Sequence, residues 1–506
     1  MIEGYAGRES VTAGGVLALH VSTDAAAFRV RFYRLGRELE FLAESGPYPG
    51  VLKEPPPHPD GGADLASPAV DWEFPEYLIP VPAGWRPGIH LAQFVEEPAA
   101  DTVPRLGDAD IEGFAREFFV VRPARPGTYG RILYKKSTFT RHAYNRGDNE
   151  VSRRDGSLYD NPVYGTGGDG LPRGHRLSMR RPGGVIDLAW WDAPFIAWLE
   201  RSGYAVEYCT DLDLHREPGL LAPYDLLLSV GHDEYWSTAM RDHTDTFLRD
   251  GGNVAFLSAN TCWWRVHPTD DDTGFVSDTD HHVDGVFPHL PATDLWWAAP
   301  PDGVGRPENA LTGVSFRNAG MWPGDWPGDR PRVGYRVQHA DHWVFDGTGL
   351  RDGSDGGPAD CLGAGTPLIG YECDGAAFAY DERGVARATG ADGTPDSFLI
   401  LGLYELDPVN EDVTTMKWGH WNCPVREPER TGPRAATMGV HTVPGGGTVF
   451  TAGTTDWPVV CGREEDPGVV RVTRNVLDRL SRDRGVPRTP EQPPEEPPER
   501  RRRPIR

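Results

Sequence analysis

Four polar side chains follow one of the most apolar runs in the chain. YDLLLSV spans residues 224–230, a glycine follows, and His232, Asp233, Glu234 and Tyr235 come next. An imidazole two residues from a carboxylate can bind a cation or move a proton. Asn260 ends the run NVAFLSAN, and Tyr144 lies in RHAYN just after RILYKKS. If these runs are neighbouring parallel strands, their carboxyl ends share one rim, where such sheets bind ligands. His232, Glu234, Asn260 and Tyr144 then face one cleft. A second reading has Asp233 and Glu234 leading into a helix from Ser237, where the helix dipole favours carboxylates. Tyr144 is then a packed aromatic.

The elements that must position these residues follow from the pattern. Residues 1–125 read as β. GVLALHVST, AFRVRFYRLG, EYLIPVP, GIHLAQFVEE and AREFFVVRP are short alternating runs between Gly, Pro and Asp clusters, the pattern of a β-sandwich. From 126 to 485 strands alternate with helices. DAPFIAWLERSG reads as a helix with Asp192 as its cap, Pro194 in its first turn and Gly203 at its stop. STAMRDHTDTFLRDGG reads as another, capped by Ser237. YAVEYCT, YDLLLSV and NVAFLS are continuous apolar strands, which implies a parallel sheet covered on both faces. PLIGYE, SFLILGLYEL and GGTVFTAGT read as further strands, and GVVRVTRNVLDRLS as a last helix. Residues 486–506 hold seven prolines and read as a disordered tail.

Composition sets outer bounds. The chain has 506 residues, room for two globular units, with 16 Trp, 17 Tyr and 19 Phe for their cores. A net charge of −24 argues against nucleic acid, an anionic membrane surface or a strongly anionic substrate. The six cysteines show no C-x-x-C spacing, so a thiolate zinc site is not expected. The first residues do not read as a signal peptide and no run is long enough to span a membrane, so a reducing cytoplasm is expected.

Several short blocks, in order along residues 1–480, resemble the large (beta) subunit of N,N-dimethylformamidase. They are IEGYAGRESVTAGGVLALHVST, RPGIHLAQF, the AYN of RHAYN, TDLDLH, GHDEYWS, NTCWW and GGGTVFTAGTTDW. The resemblance implies a β-sandwich packed on a domain like that of class I glutamine amidotransferases, without their cysteine nucleophile. It implies an amidohydrolase with a mononuclear iron held by two tyrosines and a glutamate. By position, Tyr144 matches one phenolate ligand and Glu234 the carboxylate. His232 and Asn260 match pocket residues, and Glu372 in GYECD matches a further catalytic glutamate. The second tyrosine of the family falls at His90 in PGIH. A His90–Tyr144–Glu234 triad has one negative charge fewer than the family's set, so zinc or ferrous iron is an alternative to ferric iron.

The expected function is therefore metal-dependent hydrolysis of a C–N bond in a small neutral amide. Glu372 or His232 would move protons, and Asn260 would donate to the oxyanion. Two alternatives stay open: a non-heme iron enzyme of oxidative or rearranging chemistry, and a carbohydrate-binding protein without activity. A homo-oligomer and a small partner subunit are possible partners. Other features carry less. His281, His282 and Asp284 read as a solvated loop, and Cys262 as a structural thiol. GGGTVF is a turn rather than a phosphate loop, because no G-K-[ST] follows.

Overall fold

The computed structural model describes residues 1–56, 71–98, 115–145, 176–183, 185, 187–277, 294–321, 331–354, 356–406, 417–418 and 433–482. The tail and the His281–His282–Asp284 loop lie outside them.

The N-terminal runs form two sheets. Ile2–Ala6, Val16–Thr23 and Glu76–Pro80 make an antiparallel three-stranded sheet. Ser10–Thr12, Arg116–Arg122, Gly88–Glu96, Ala27–Leu35 and Leu39–Pro49 make a five-stranded sheet in that order. Alternation gives the second sheet two buried faces. Phe32, Ala92, Phe94, Phe119 and Val121 pack toward the first sheet with Leu17, Leu19 and Val21. Tyr33, Leu35, Ile89, Leu91, Phe118 and Val120 pack the other way, into the core of the rest of the molecule.

That larger core is built on one nine-stranded sheet. Its first five strands are Val206–Thr210, Ile132–Lys136, Leu226–His232, Asn253–Ala259 and Thr448–Thr451, all parallel. Numbered by sequence, their order is 2-1-3-4-5, a common doubly wound order with its switch point between strands 1 and 3. Four antiparallel strands extend it: Ala435–Thr442, Leu399–Glu405, Tyr335–Val337 and Cys361–Leu362. The sheet is thus mixed rather than wholly parallel. Leu226, Leu228 and Val230 face one core with helices Ala193–Arg201 and Pro467–Leu480. Leu227, Val254 and Phe256 face the other, with helix Thr238–Arg249.

Ser237 caps helix Thr238–Arg249 as its type suggests, accepting from Met240 N at 3.2 Å. Asp192 does not cap the helix it precedes. Its carboxylate instead accepts from Tyr134 Oη at 2.6 Å and Lys136 Nζ at 2.8 Å, and a π-turn, Leu188–Asp192, leads into that helix. No helix among the described residues is long and apolar enough to cross a membrane.

Candidate active site

The candidate residues gather at the carboxyl edge, beside the switch point. Strand Ile132–Lys136 runs into the short helix Thr138–Ala143, and Tyr144 stands at its end. Buried Arg181 ties that end down, donating to the carbonyls of His142 at 3.2 Å and Asn145 at 3.0 Å. The Thr140 hydroxyl on the same helix accepts from Glu234 N at 2.9 Å and Tyr235 N at 3.2 Å. One side chain therefore fixes the Tyr144 helix against the Glu234 loop. Tyr144 Oη then donates to Glu234 Oε2 at 2.7 Å. His232 ends strand Leu226–His232 after Gly231, whose φ of +75° favours glycine and whose absent Cβ leaves room for the Trp191 ring.

His232 Nε2 lies 3.2 Å from Glu234 Oε2 and 2.7 Å from Glu372 Oε2. Glu372 arrives from the start of a different strand, Glu372–Gly375. All three side chains are buried. Burial pulls the imidazole's pKa down, but the carboxylates of Glu372 and Glu234 outweigh it and raise it to about 10. His232 is thus an imidazolium at neutral pH. Glu234 is raised, chiefly by burial, against the pull of His232. The contacts of His232 Nε2 with the carboxylates are close but lack hydrogen-bond geometry. Three rings crowd the imidazole: Tyr144 at 5.1 Å, Trp191 at 5.9 Å and Tyr371 at 6.5 Å between centroids.

A buried polar chain runs beneath these groups. Asp211 accepts from Phe139 N at 2.8 Å, at the start of the Tyr144 helix. Lys135 Nζ reaches both Asp211 and Asp233 at 2.6 Å. Ser229 Oγ donates to Asp233 at 2.5 Å, and Ser229, Ser258 and Thr261 follow one another at 2.9 Å steps. Because Ser229 donates to Asp233, Ser258 donates to Ser229 and Thr261 to Ser258. Asp374 ends the chain, accepting from Asn260 N at 2.8 Å and Thr261 N at 3.3 Å. Burial raises Asp211 to about 6 and Asp374 to about 8.

Asn260 follows Ala259, which pairs in register with His232. Its turn is laced to the Glu234 loop by Cys262 N on Asp233 O at 2.9 Å and Trp263 N on Glu234 O at 2.8 Å. Burial drives the Cys262 thiol up to about 12, so it is no thiolate nucleophile.

The fold does not bring His90 to this group. On strand Gly88–Glu96, Ile89 and Leu91 face the core of the nine-stranded sheet, while His90 shares the opposite face, inside the sandwich, with Ala92 and Phe94. Its ring stacks on Trp85 at 5.3 Å and lies 5.5 Å from Phe119, inside the sandwich. Nδ1 lies 3.1 Å from Gly88 O, and burial lowers its pKa to about 3. Of the expected ligands, Tyr144 and Glu234 stand together and His90 stands apart. Among the described residues no three His, Cys, Asp or Glu side chains have the arrangement of a metal centre. A phenol lies outside that set.

The model of the family described as "N,N-dimethylformamidase beta subunit-like, C-terminal" matches residues 24–465, most of the chain. The chain belongs to this family. The N,N-dimethylformamidase beta subunit of Paracoccus aminophilus is 27% identical over 417 residues, 73% of this chain and 51% of that protein. That of an Alcaligenes species is 27% identical over 317 residues, 59% of this chain and 38% of that protein. The chain therefore spans about half or less of the length of these dimethylformamidase relatives.

In this dimethylformamidase-like chain, sequence reasoning missed Thr140, Lys135, Asp374, Trp191 and Tyr371. Period-two alternation in ECD places Glu372 and Asp374 on one strand face, a signal that could have found Asp374. Thr140 and Lys135 act on segments more than 70 residues away, and no local pattern marks them.

Proposed function

We propose that this rim hydrolyses the C–N bond of a small neutral amide, as the names of the relatives suggest. The reading rests on one observation: Tyr144, His232, Glu234 and Glu372, from three separate segments, meet around one point at the switch-point edge. The crowding of rings around His232 supports a small substrate. The 2-1-3-4-5 strand order supports a scaffold like that of class I glutamine amidotransferases, with Asn260 at the turn after the fourth parallel strand.

In the proposed reaction water adds to the carbonyl carbon, the C–N bond breaks, and the products are the acid and the amine. His232, charged between two carboxylates, hands its proton to the leaving nitrogen. Glu372 accepts the proton of the attacking water and passes it to His232, 2.7 Å away, which restores the pair. The Asn260 amide donates to the oxygen as charge develops there.

Mononuclear iron, or zinc in its place, is the metal we propose. Tyr144 and Glu234, whose Oη and Oε2 lie 2.7 Å apart, would hold it. Such an ion supplies carbonyl polarisation and a more acidic water. The relatives are named as subunits, which supports an assembled enzyme, as a homo-oligomer or with a further subunit.

The test incubates the full chain with N,N-dimethylformamide and N-methylformamide and quantifies released amine beside elemental analysis. The reading expects amine and roughly one metal per chain in the parent, and loss of both in Glu234→Ala and Tyr144→Phe. A parent that binds metal but releases no amine from any small formamide discards the hydrolase reading. Unchanged metal content in both variants discards the ligand assignment.

A further inference from the structure

Asp374 is buried, and no cation pairs with it among the described residues. Its carboxylate instead accepts the two successive backbone N–H groups of Asn260 and Thr261. The turn benefits from such a hold. Asn260 stands at φ +50°, left-handed backbone that asparagine enters more readily than most residues, and Cys262 stands at φ +58°, where a residue of its type is uncommon. Asp374 N donates to Gly453 O at 3.0 Å, and Thr455 N donates to Glu372 O at 3.1 Å. The strand carrying Glu372 is thereby anchored to the loop after the fifth parallel strand.

We propose that Asp374 is a positioning residue that holds the Asn260 amide against the His232–Glu234–Glu372 group. The inference rests on reading this rim as the active site. The chemistry requires aspartate specifically. Both of its oxygens can accept, ionised or protonated, because a carboxyl hydroxyl keeps a lone pair, whereas an asparagine offers one acceptor and turns an NH₂ toward the second N–H. One buried amide is then left facing a donor, and the left-handed turn loses what holds it.

The experiment compares the full-length parent with Asp374→Asn, Asn260→Ala and the double variant. In hydrogen exchange read by mass spectrometry, Asp374→Asn is expected to speed exchange in the 259–262 turn about tenfold while helix Thr238–Arg249 stays as protected as in the parent. In amine release from N,N-dimethylformamide, Asp374→Asn lowers kcat about tenfold or more with little change in KM. The double variant is no slower than Asn260→Ala alone, because Asp374 acts through Asn260. Unchanged exchange in the turn overturns the proposal, and so do kcat losses that multiply. A parent without turnover removes the active-site reading, yet the exchange arm still decides whether Asp374 holds the turn. Should Asp374→Asn not fold, Asp374→Glu, which displaces both acceptors, carries the same expectations.

Discussion

At the scale of single residues, the charge state of His232 governs the proposed chemistry. Its imidazole is held at about 10 because the nearby carboxylates outweigh burial. Glu372→Gln removes one of them, so the His232 pKa should fall. Two-dimensional NMR of the ring protons would show this as a titration midpoint moved to lower pH. An unmoved midpoint means that Glu372 does not sense the ring. His90 gives a second residue-scale expectation. Its folded pKa of about 3 lies below its ordinary 6.5, so the folded state binds fewer protons between these values. Its neutral burial therefore stabilises the fold fully above pH 6.5, and that contribution drains away as pH falls toward 3. His90→Phe, which keeps the stack on Trp85, should lose less stability than the parent between pH 7 and pH 4, measured by urea midpoints. It should also leave amine release unchanged.

At the scale of elements, the Thr140 hydroxyl couples helix Thr138–Ala143 to the Glu234 loop. Thr140→Val keeps the shape and strips two buried amides of their acceptor. A cost of about 1–3 kcal/mol is expected for each such group, with turnover falling further than stability alone explains. Thermal melts beside kcat check it. The same elements show what the sequence made legible. YDLLLSV and NVAFLS read as strands because continuous apolar runs belong to sheets buried on both faces, and their ends carry His232 and Asn260 as expected. Strand Leu39–Pro49 went unread because its charged, half-exposed residues show no clean alternation. Asp192 looked like a cap, but Tyr134 and Lys136, more than 55 residues earlier, compete for its carboxylate. The placement of His90 turned on which face of its strand meets the neighbouring layer, and the local pattern PGIH does not carry that.

At the scale of the whole molecule, the sandwich grips the helix that ends in Tyr144. Arg141 reaches Glu117 at 2.8 and 3.1 Å and also pairs with Glu9, while His142 lies 3.1 Å from Glu9. All of these groups are buried or nearly so. Removing one partner leaves an uncompensated buried charge, so Arg141→Met should destabilise the fold by about 3–5 kcal/mol, read as a lower urea midpoint. A surface-like loss below about 1 kcal/mol would mean that the two layers are held by their apolar core alone.

The central claim is that Tyr144, Glu234, His232 and Glu372 form one hydrolytic site, and amine release by the full chain with Glu234→Gln as control tests it most directly. The account predicts steady release of dimethylamine from N,N-dimethylformamide by the parent and none above background by Glu234→Gln, both proteins folding cooperatively. Equal release by the two proteins would contradict it.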